Sequence, residues 1–307
     1  HVVVDSFDEI ERLGAIAVEQ KKVVPVLVRV TPGVEAHTHE FIETGTEISK
    51  FGFTISEGVA INALNRVHEN PSLDLRGVHC HIGSQIYRLD AFSRAINRLA
   101  ELALAARNQY GIIFSILNLG GGLGARYLSE DPQISITAYS QVLHDSVATA
   151  WGASDLGDIP AIMVEPGRSI AAPSAITLYR VGTIKEIPGV GTYVAVDGGM
   201  SDNPRPVLYG SGYEAYLPER VHENRPFACS VVGKHCEQGD IIVADAQLPA
   251  KVQPGDLLAT PTTGAYGYSM ASNYNMVPRP AVLFASNGEV RCVLRRETPE
   301  DLTRLDG

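Results

Sequence analysis

Apolar runs and amphipathic stretches alternate along the first half of the chain. Residues 2–4 form a short run of valine, and Ser6 stands where an N-cap would open a helix over 7–19. The pattern then predicts a strand over 23–30, a helix over 58–67, a strand over 75–82 and a helix rich in alanine and leucine over 91–106. A strand over 112–119, a helix over 138–150 and a fifth strand over 161–164 complete the series. Strands that read as continuous apolar runs are covered on both faces, so repeated βα units predict a parallel sheet under helices. Periodicity alone leaves a barrel and an open sheet both standing.

After Arg168 the texture changes. Strand-like runs cover 175–187, 192–196, 227–232, 240–244, 256–259 and 280–294, separated by Pro188-Gly189, Asp197-Gly198-Gly199, Pro254-Gly255 and Asn287-Gly288. No long helical pattern interrupts them, so a mainly β second domain is expected, with Asn287-Gly288 as a hairpin turn. The stretch 201–225, rich in proline, tyrosine and charge, reads as a long functional loop. The expected division is 1–172 and 173–307, and no internal repeat stands out.

A formal charge of -10 over 307 residues gives no electrostatic footprint for nucleic acid or an anionic membrane surface and suits a soluble cytoplasmic protein. No run of 18 apolar residues suggests a membrane span, and no leader is recognisable. The chain opens directly on its first strand, which suggests that its true beginning lies upstream. The four cysteines, Cys80, Cys229, Cys236 and Cys292, form no CxxC pair, so reduced thiols are expected rather than a zinc knuckle or redox dithiol.

Polar clusters follow several of the strands. Asn118 to Gly124 reads NLGGGLG, whose N–H groups could converge on an anion or simply make a tight turn; it fits neither GxGxxG nor a Walker loop. Glu165-Pro166-Gly167-Arg168 directly follows the fifth strand, where α/β sites assemble, although a local ion pair would also account for it. His79 and His81 alternate and so share a face of a strand. No third ligand is convincingly spaced for a metal, and buried, hydrogen-bonded histidines are the plainer alternative. His37 and His39 lie in a polar loop. A last cluster, His235 to Asp240 (HCEQGD), comes from the second domain.

With HTHEFIETG, KFGF, GVHCHIGSQI, NLGGGLG, EPGR, DGGMSDNPRPVLYG, HCEQGD and GAYGYSMASNYN in order, the chain resembles the diaminopimelate decarboxylases. These are pyridoxal-phosphate enzymes with an alanine-racemase-like barrel and a C-terminal β-domain. The resemblance implies an α/β plus all-β fold: five βα units of a (β/α)8 TIM-type barrel, then the β-domain, with about three strands, on the order of 100 residues, in front. It places the lysine that binds the cofactor in that preceding portion. Lys21, Lys22, Lys50, Lys185, Lys234 and Lys251 are the only lysines here and none matches it, so the 307-residue chain alone is expected to be inactive.

The resemblance assigns roles by motif. His81 would stack on the pyridine ring, Ser84, Gly120, Gly121 and Gly122 would hold the phosphate, and Glu165 would pair with the ring nitrogen. Arg168 and Tyr266 would lie near phosphate and substrate. Arg205 and Tyr209 would hold the substrate's distal carboxylate, and Glu237 its far ammonium. Cys236 would return the proton after CO2 leaves, acting with Glu237 in the site of the neighbouring subunit of a homodimer. Gln238 departs from the family's usual serine, which bears on substrate geometry. The implied reaction is decarboxylation of meso-2,6-diaminopimelate to L-lysine. Ornithine or arginine decarboxylases, a racemase, and a non-catalytic regulatory or scaffolding homologue are the alternatives.

Overall fold

The computed structural model describes residues 1–34 and 50–306. His37, His39 and the HTHEFIETG segment lie outside the described residues. The chain divides into two compact units, 1–124 with 132–169, and 125–131 with 170–307.

The first unit runs β1 (Val2–Val4), α1 (Phe7–Glu19), β2 (Val24–Thr31), β3 (Phe53–Thr54), α2 (Val59–His68), β4 (Leu73–His79), α3 (Asp90–Tyr110), β5 (Ile116–Asn118), α4 (Ile136–Ala153) and β6 (Ala161–Met163). Ser6 caps α1 as expected, its side chain accepting from the N–H of Glu9. The strands pair in the order β1-β2-β4-β5-β6, all parallel, with the short β3 added beside β2. An open doubly wound sheet reverses its strand order at a switch point, whereas a barrel adds each new strand beside the last. The monotonic order makes this unit an arc of a (β/α) barrel.

Helix α3 shows why the helices cover it. Phe92, Ala95, Ile96, Leu99, Ala103 and Ala106 recur at three- and four-residue spacing and are all buried. The helix ends at Gly111, whose φ of 70° is the left-handed conformation of a C-terminal cap.

A five-residue helix, α5 (Gly167–Ala171), leads into the second unit. There β7 (Ile176–Ile187), β8 (Gly191–Val196), α6 (Arg205–Tyr209), β9 (Phe227–Val232), β10 (Ile241–Leu248) and β11 (Leu257–Pro261) are followed by α7 (Gly267–Met270), β12 (Val282–Ser286), β13 (Glu289–Leu294) and α8 (Pro299–Thr303). The main sheet has the order β10-β9-β8-β7-β11, antiparallel except for β8 against β9. Its core includes Tyr179, Val181, Val194, Val196, Val231, Ile242, Leu248 and Leu258. The stretch expected as a loop over 201–225 contains α6, whose entry is fixed by Pro204 and whose end is the left-handed Gly210. The unit is therefore mainly β, punctuated by single-turn helices.

Candidate active site

Parallel pairing sets one row of residues side by side near the carboxyl ends of the strands: Arg29 opposite His79, His79 opposite Asn118, and Asn118 opposite Met163. The segments that follow, 80–84, 119–122 and 164–168, therefore emerge from adjacent strand ends, where α/β folds assemble their sites. This register explains why clusters far apart in sequence meet.

Glu165 is held at both oxygens. Asn118 donates from Nδ2 to Oε1 at 2.8 Å, and His79 Nε2 lies 3.4 Å from Oε2. Burial raises the pKa of this carboxyl, but the Asn118 hydrogen bond and His79 outweigh it, and the net shift is downward. Burial also lowers the pKa of His79 despite its carboxylate neighbour, leaving a neutral imidazole that donates to Glu165.

His81 lies beyond the end of β4 and accepts the N–H of Gly121 at Nδ1, 3.1 Å away. Burial, followed by Arg29 and His79, lowers its pKa to about 4. His81 is thus a neutral ring with a fixed plane and Nε2 as its protonated nitrogen. Among the described residues no group of three or more histidine, cysteine, aspartate or glutamate side chains is placed to hold a metal ion.

The glycine run packs strand ends together as well as offering donors. A Cβ on Gly120 would come within 2.3 Å of the Cys80 carbonyl oxygen, one on Gly121 within 2.4 Å of that of Glu165, and one on Gly122 within 2.3 Å of that of Gly83. The N–H of Gly120 goes to Asn118 Oδ1 at 2.9 Å and that of Gly121 to His81. Gly122 is the member whose N–H has no acceptor among the described residues. Nearby in the chain fold, the buried Arg168 donates to Ser84 Oγ from Nε at 3.2 Å and from Nη2 at 2.8 Å, which leaves the Ser84 proton free to donate.

These groups fit pyridoxal phosphate. A neutral, immobilised imidazole suits stacking on a pyridine face. An ionised carboxylate suits a protonated ring nitrogen, and the Gly122 N–H, the Ser84 hydroxyl and the Arg168 guanidinium suit a phosphate. Sequence reasoning passed over Asn118 and the inward turn of His79, although both stand inside motifs it quoted.

The second unit gathers a different set. Arg205, on α6, is only 5% exposed. Its Nε donates to the Tyr213 hydroxyl at 3.1 Å and its Nη2 to Ser211 Oγ at 3.2 Å. The rings of Tyr209, Tyr127 and Tyr266 stand 5.3, 5.7 and 5.8 Å from the guanidinium carbon. No carboxylate pairs with Arg205 among the described residues. Arg205, Tyr209 and Tyr266 are thus brought together. Tyr213, which sequence reasoning missed, holds the Arg205 guanidinium through its hydroxyl; burial pushes its phenol up to about 12, so it stays protonated.

Cys236, Glu237, Gln238 and Gly239 are exposed in the turn joining β9 to β10. Glu237 Oε1 accepts from the Tyr274 hydroxyl.

Residues 1–172 match the model of the pyridoxal binding domain of pyridoxal-dependent decarboxylases. The chain is 48% identical over 306 residues to the diaminopimelate decarboxylase of Bacillus subtilis, covering 99% of this chain and 69% of that protein. It is also 48% identical over 314 residues to that of Mycobacterium tuberculosis, covering 100% and 70%. The crystal structure of the Helicobacter pylori diaminopimelate decarboxylase complexed with L-lysine is similar at a TM-score of 0.87 and 33% identity, over 99% of this chain and 72% of that one.

Proposed function

Because the chain belongs to the diaminopimelate decarboxylase family of pyridoxal-dependent enzymes, we propose that its two clusters divide the work of one reaction, the first holding the cofactor and the second recognising the substrate's distal carboxylate. The reaction is decarboxylation of meso-2,6-diaminopimelate to L-lysine and CO2, in lysine biosynthesis.

Pyridoxal phosphate, when bound, supplies the electron sink for the pair left behind as CO2 departs. The protein's part is to hold and to deliver protons. Glu165, kept ionised by Asn118 and His79, stabilises a proton on the ring nitrogen. His81 stays uncharged against the ring, and Ser84, Arg168 and Gly122 bind the phosphate. Gly120 and Gly121 support that cradle by the close packing that only glycine allows. Tyr266 adds a phenolic hydroxyl on the phosphate side. Cys236 Sγ returns a proton to the carbon that lost CO2, and Glu237 meets the far ammonium. In this reading Cys236 and Glu237 act in the site of a second copy, in a cytoplasmic homodimer with shared active sites. Among the described residues no helix is long and apolar enough to cross a membrane.

The observation that carries the substrate assignment is the buried Arg205 guanidinium, which has no carboxylate partner among the described residues. Burying a cation is costly unless an anion joins it, so the site is built around an anion brought from outside. A substrate with a distal carboxylate supplies one; ornithine and lysine do not. The test is Arg205→Met in the cofactor-loaded enzyme. Removing an uncompensated buried charge should leave the melting temperature unchanged or higher. Losing even one charge-assisted hydrogen bond, about 1.5 kcal/mol, should lower kcat/KM for diaminopimelate about tenfold or more. A fall of less than about threefold, half a decade on the same scale, would sink the assignment.

A further inference from the structure

We propose that Asp240 is a positioning residue: it locks the Cys236–Glu237 turn onto the loop that leads to Arg205, and so determines where the Cys236 thiol delivers its proton. The inference rests on the role given above to Cys236.

The turn has an unusual construction. Its four central residues, 236–239, are exposed, while His235 and Asp240 at its two ends are buried. Asp240 Oδ1 accepts the N–H of Met200 at 2.6 Å, and Oδ2 accepts the N–H of His235 at 2.9 Å. The same carboxylate therefore grips the turn and the 198–203 loop together. A negative charge that binds two backbone amides makes stronger bonds than a neutral acceptor and fixes both peptide planes.

Space for that carboxylate is made by two glycines, one on each segment. A Cβ on Gly233 would stand 2.1 Å from Asp240 Oδ2, and one on Gly199 would stand 2.5 Å from it. A backbone bond repeats the connection, Lys234 N–H to the Gly198 carbonyl at 2.9 Å, and two more close the turn on itself, Gly233 N–H to the Asp240 carbonyl at 2.8 Å and Asp240 N–H to the Glu237 carbonyl at 3.1 Å. At the other end, the His235 ring bonds Ser201 Oγ through Nε2 at 2.8 Å and lies 5.5 Å from the Tyr274 ring, whose hydroxyl reaches Glu237. The bonds from Asp240 to Met200, from Lys234 to Gly198 and from His235 to Ser201 thus converge on residues 198–201, the last of them four positions before Arg205. An exposed turn is ordinarily mobile; this one is clamped at both ends, as a segment that must present a thiol and a carboxylate at fixed places requires.

The test is a double-mutant cycle in the cofactor-loaded enzyme, at concentrations where sedimentation gives the same mass for every variant. Asp240→Asn keeps the shape and one acceptor oxygen but loses the other acceptor. It should lower kcat at least tenfold with KM changed less than threefold, and hydrogen exchange at the amide of Met200 or His235 should quicken. If Asp240 acts through Cys236, the Cys236→Ala/Asp240→Asn enzyme should be no slower than Cys236→Ala alone. Multiplying effects would overturn the proposal, as would wild-type kcat in Asp240→Asn with an opened amide. Ser201→Ala, which frees the other end of the clamp, carries the same cycle if Asp240→Asn fails to fold, with the same overturning outcomes. Wild-type kcat in Cys236→Ala would remove the premise itself and is distinguishable from either result.

Discussion

At the scale of single residues, the site is a set of ordinary side chains made specific by their partners. Glu165 would be an unremarkable half-exposed carboxylate without the Asn118 amide on one oxygen and His79 on the other. Asn118 serves twice, since its Oδ1 also receives the Gly120 N–H. Asn118→Leu keeps the volume and removes both bonds, so it should weaken pyridoxal phosphate binding about tenfold, the equivalent of about 1.4 kcal/mol. A dissociation constant equal to the parent's, measured by absorbance titration, would remove Asn118 from the site. The histidines make a pH prediction. With His81 lowered to about 4 and His79 also lowered, the unfolded chain binds protons below about 6.5 that the folded chain refuses. Stability should therefore fall as pH drops from about 6.5 toward about 4, and His81→Phe should flatten that fall. Equal slopes of denaturation midpoint against pH in parent and variant would refute it. His81, Glu165 and Arg168 were legible because they stand at strand ends in tight polar clusters. Their partners were not, because Asn118 and His79 lie 47 and 86 residues from Glu165 and only pairing register joins them.

At the scale of elements, register and backbone approach decide what sequence patterns leave open. The run 112–119 promised a long strand, yet β5 is Ile116–Asn118, paired with Gly77–His79 on one side and with the three-residue β6, Ala161–Met163, on the other. The apolar residues before it are not wasted: Ile112 and Phe114 are buried in the core. By contrast, the Asn287-Gly288 turn was legible in full, since positive φ at both residues (52° and 80°) is what a two-residue hairpin loop demands. Gly77 is the instructive omission. It sits inside β4 at φ 147°, and a Cβ there would stand 2.0 Å from the Ile116 carbonyl oxygen. A glycine within a strand marks close backbone approach, but the strand pattern over 75–82 did not single it out. Gly77→Ala should force β4 from β5 and lower the unfolding free energy by about 3 kcal/mol, with loss of cofactor binding because His79 and Asn118 would part. Denaturant unfolding that shows a loss under about 1 kcal/mol, the mean effect of an ordinary substitution, would count against that reading.

At the scale of the whole molecule, the order of the parts was readable and their cooperation was not. Alternation of βα units followed by turn-rich strands announced a barrel arc and then a β-domain, and the strand order β1-β2-β4-β5-β6 resolves the barrel from the open sheet. No pattern of one chain can say whether a residue serves its own copy or another, because sequence distance carries no information about symmetry. The proposed sharing of sites makes a quantitative claim that function can check. Glu165→Ala removes a group that serves its own copy, and Cys236→Ala removes one that would serve the other; each enzyme alone should be nearly inactive. In a mixed dimer, one site then receives intact Glu165 and intact Cys236, while the other receives neither. Random reassociation of equal amounts puts about half the dimers in the mixed class, so activity should recover toward about one quarter of the parent's per total site when subunits exchange freely and sites act independently. If Cys236 served its own copy, every site in every dimer would lack one of the two groups, and mixing would restore nothing. Subunit exchange shown by mass-labelled copies, without regained decarboxylation, would reject the shared site and leave Cys236 acting within its own chain.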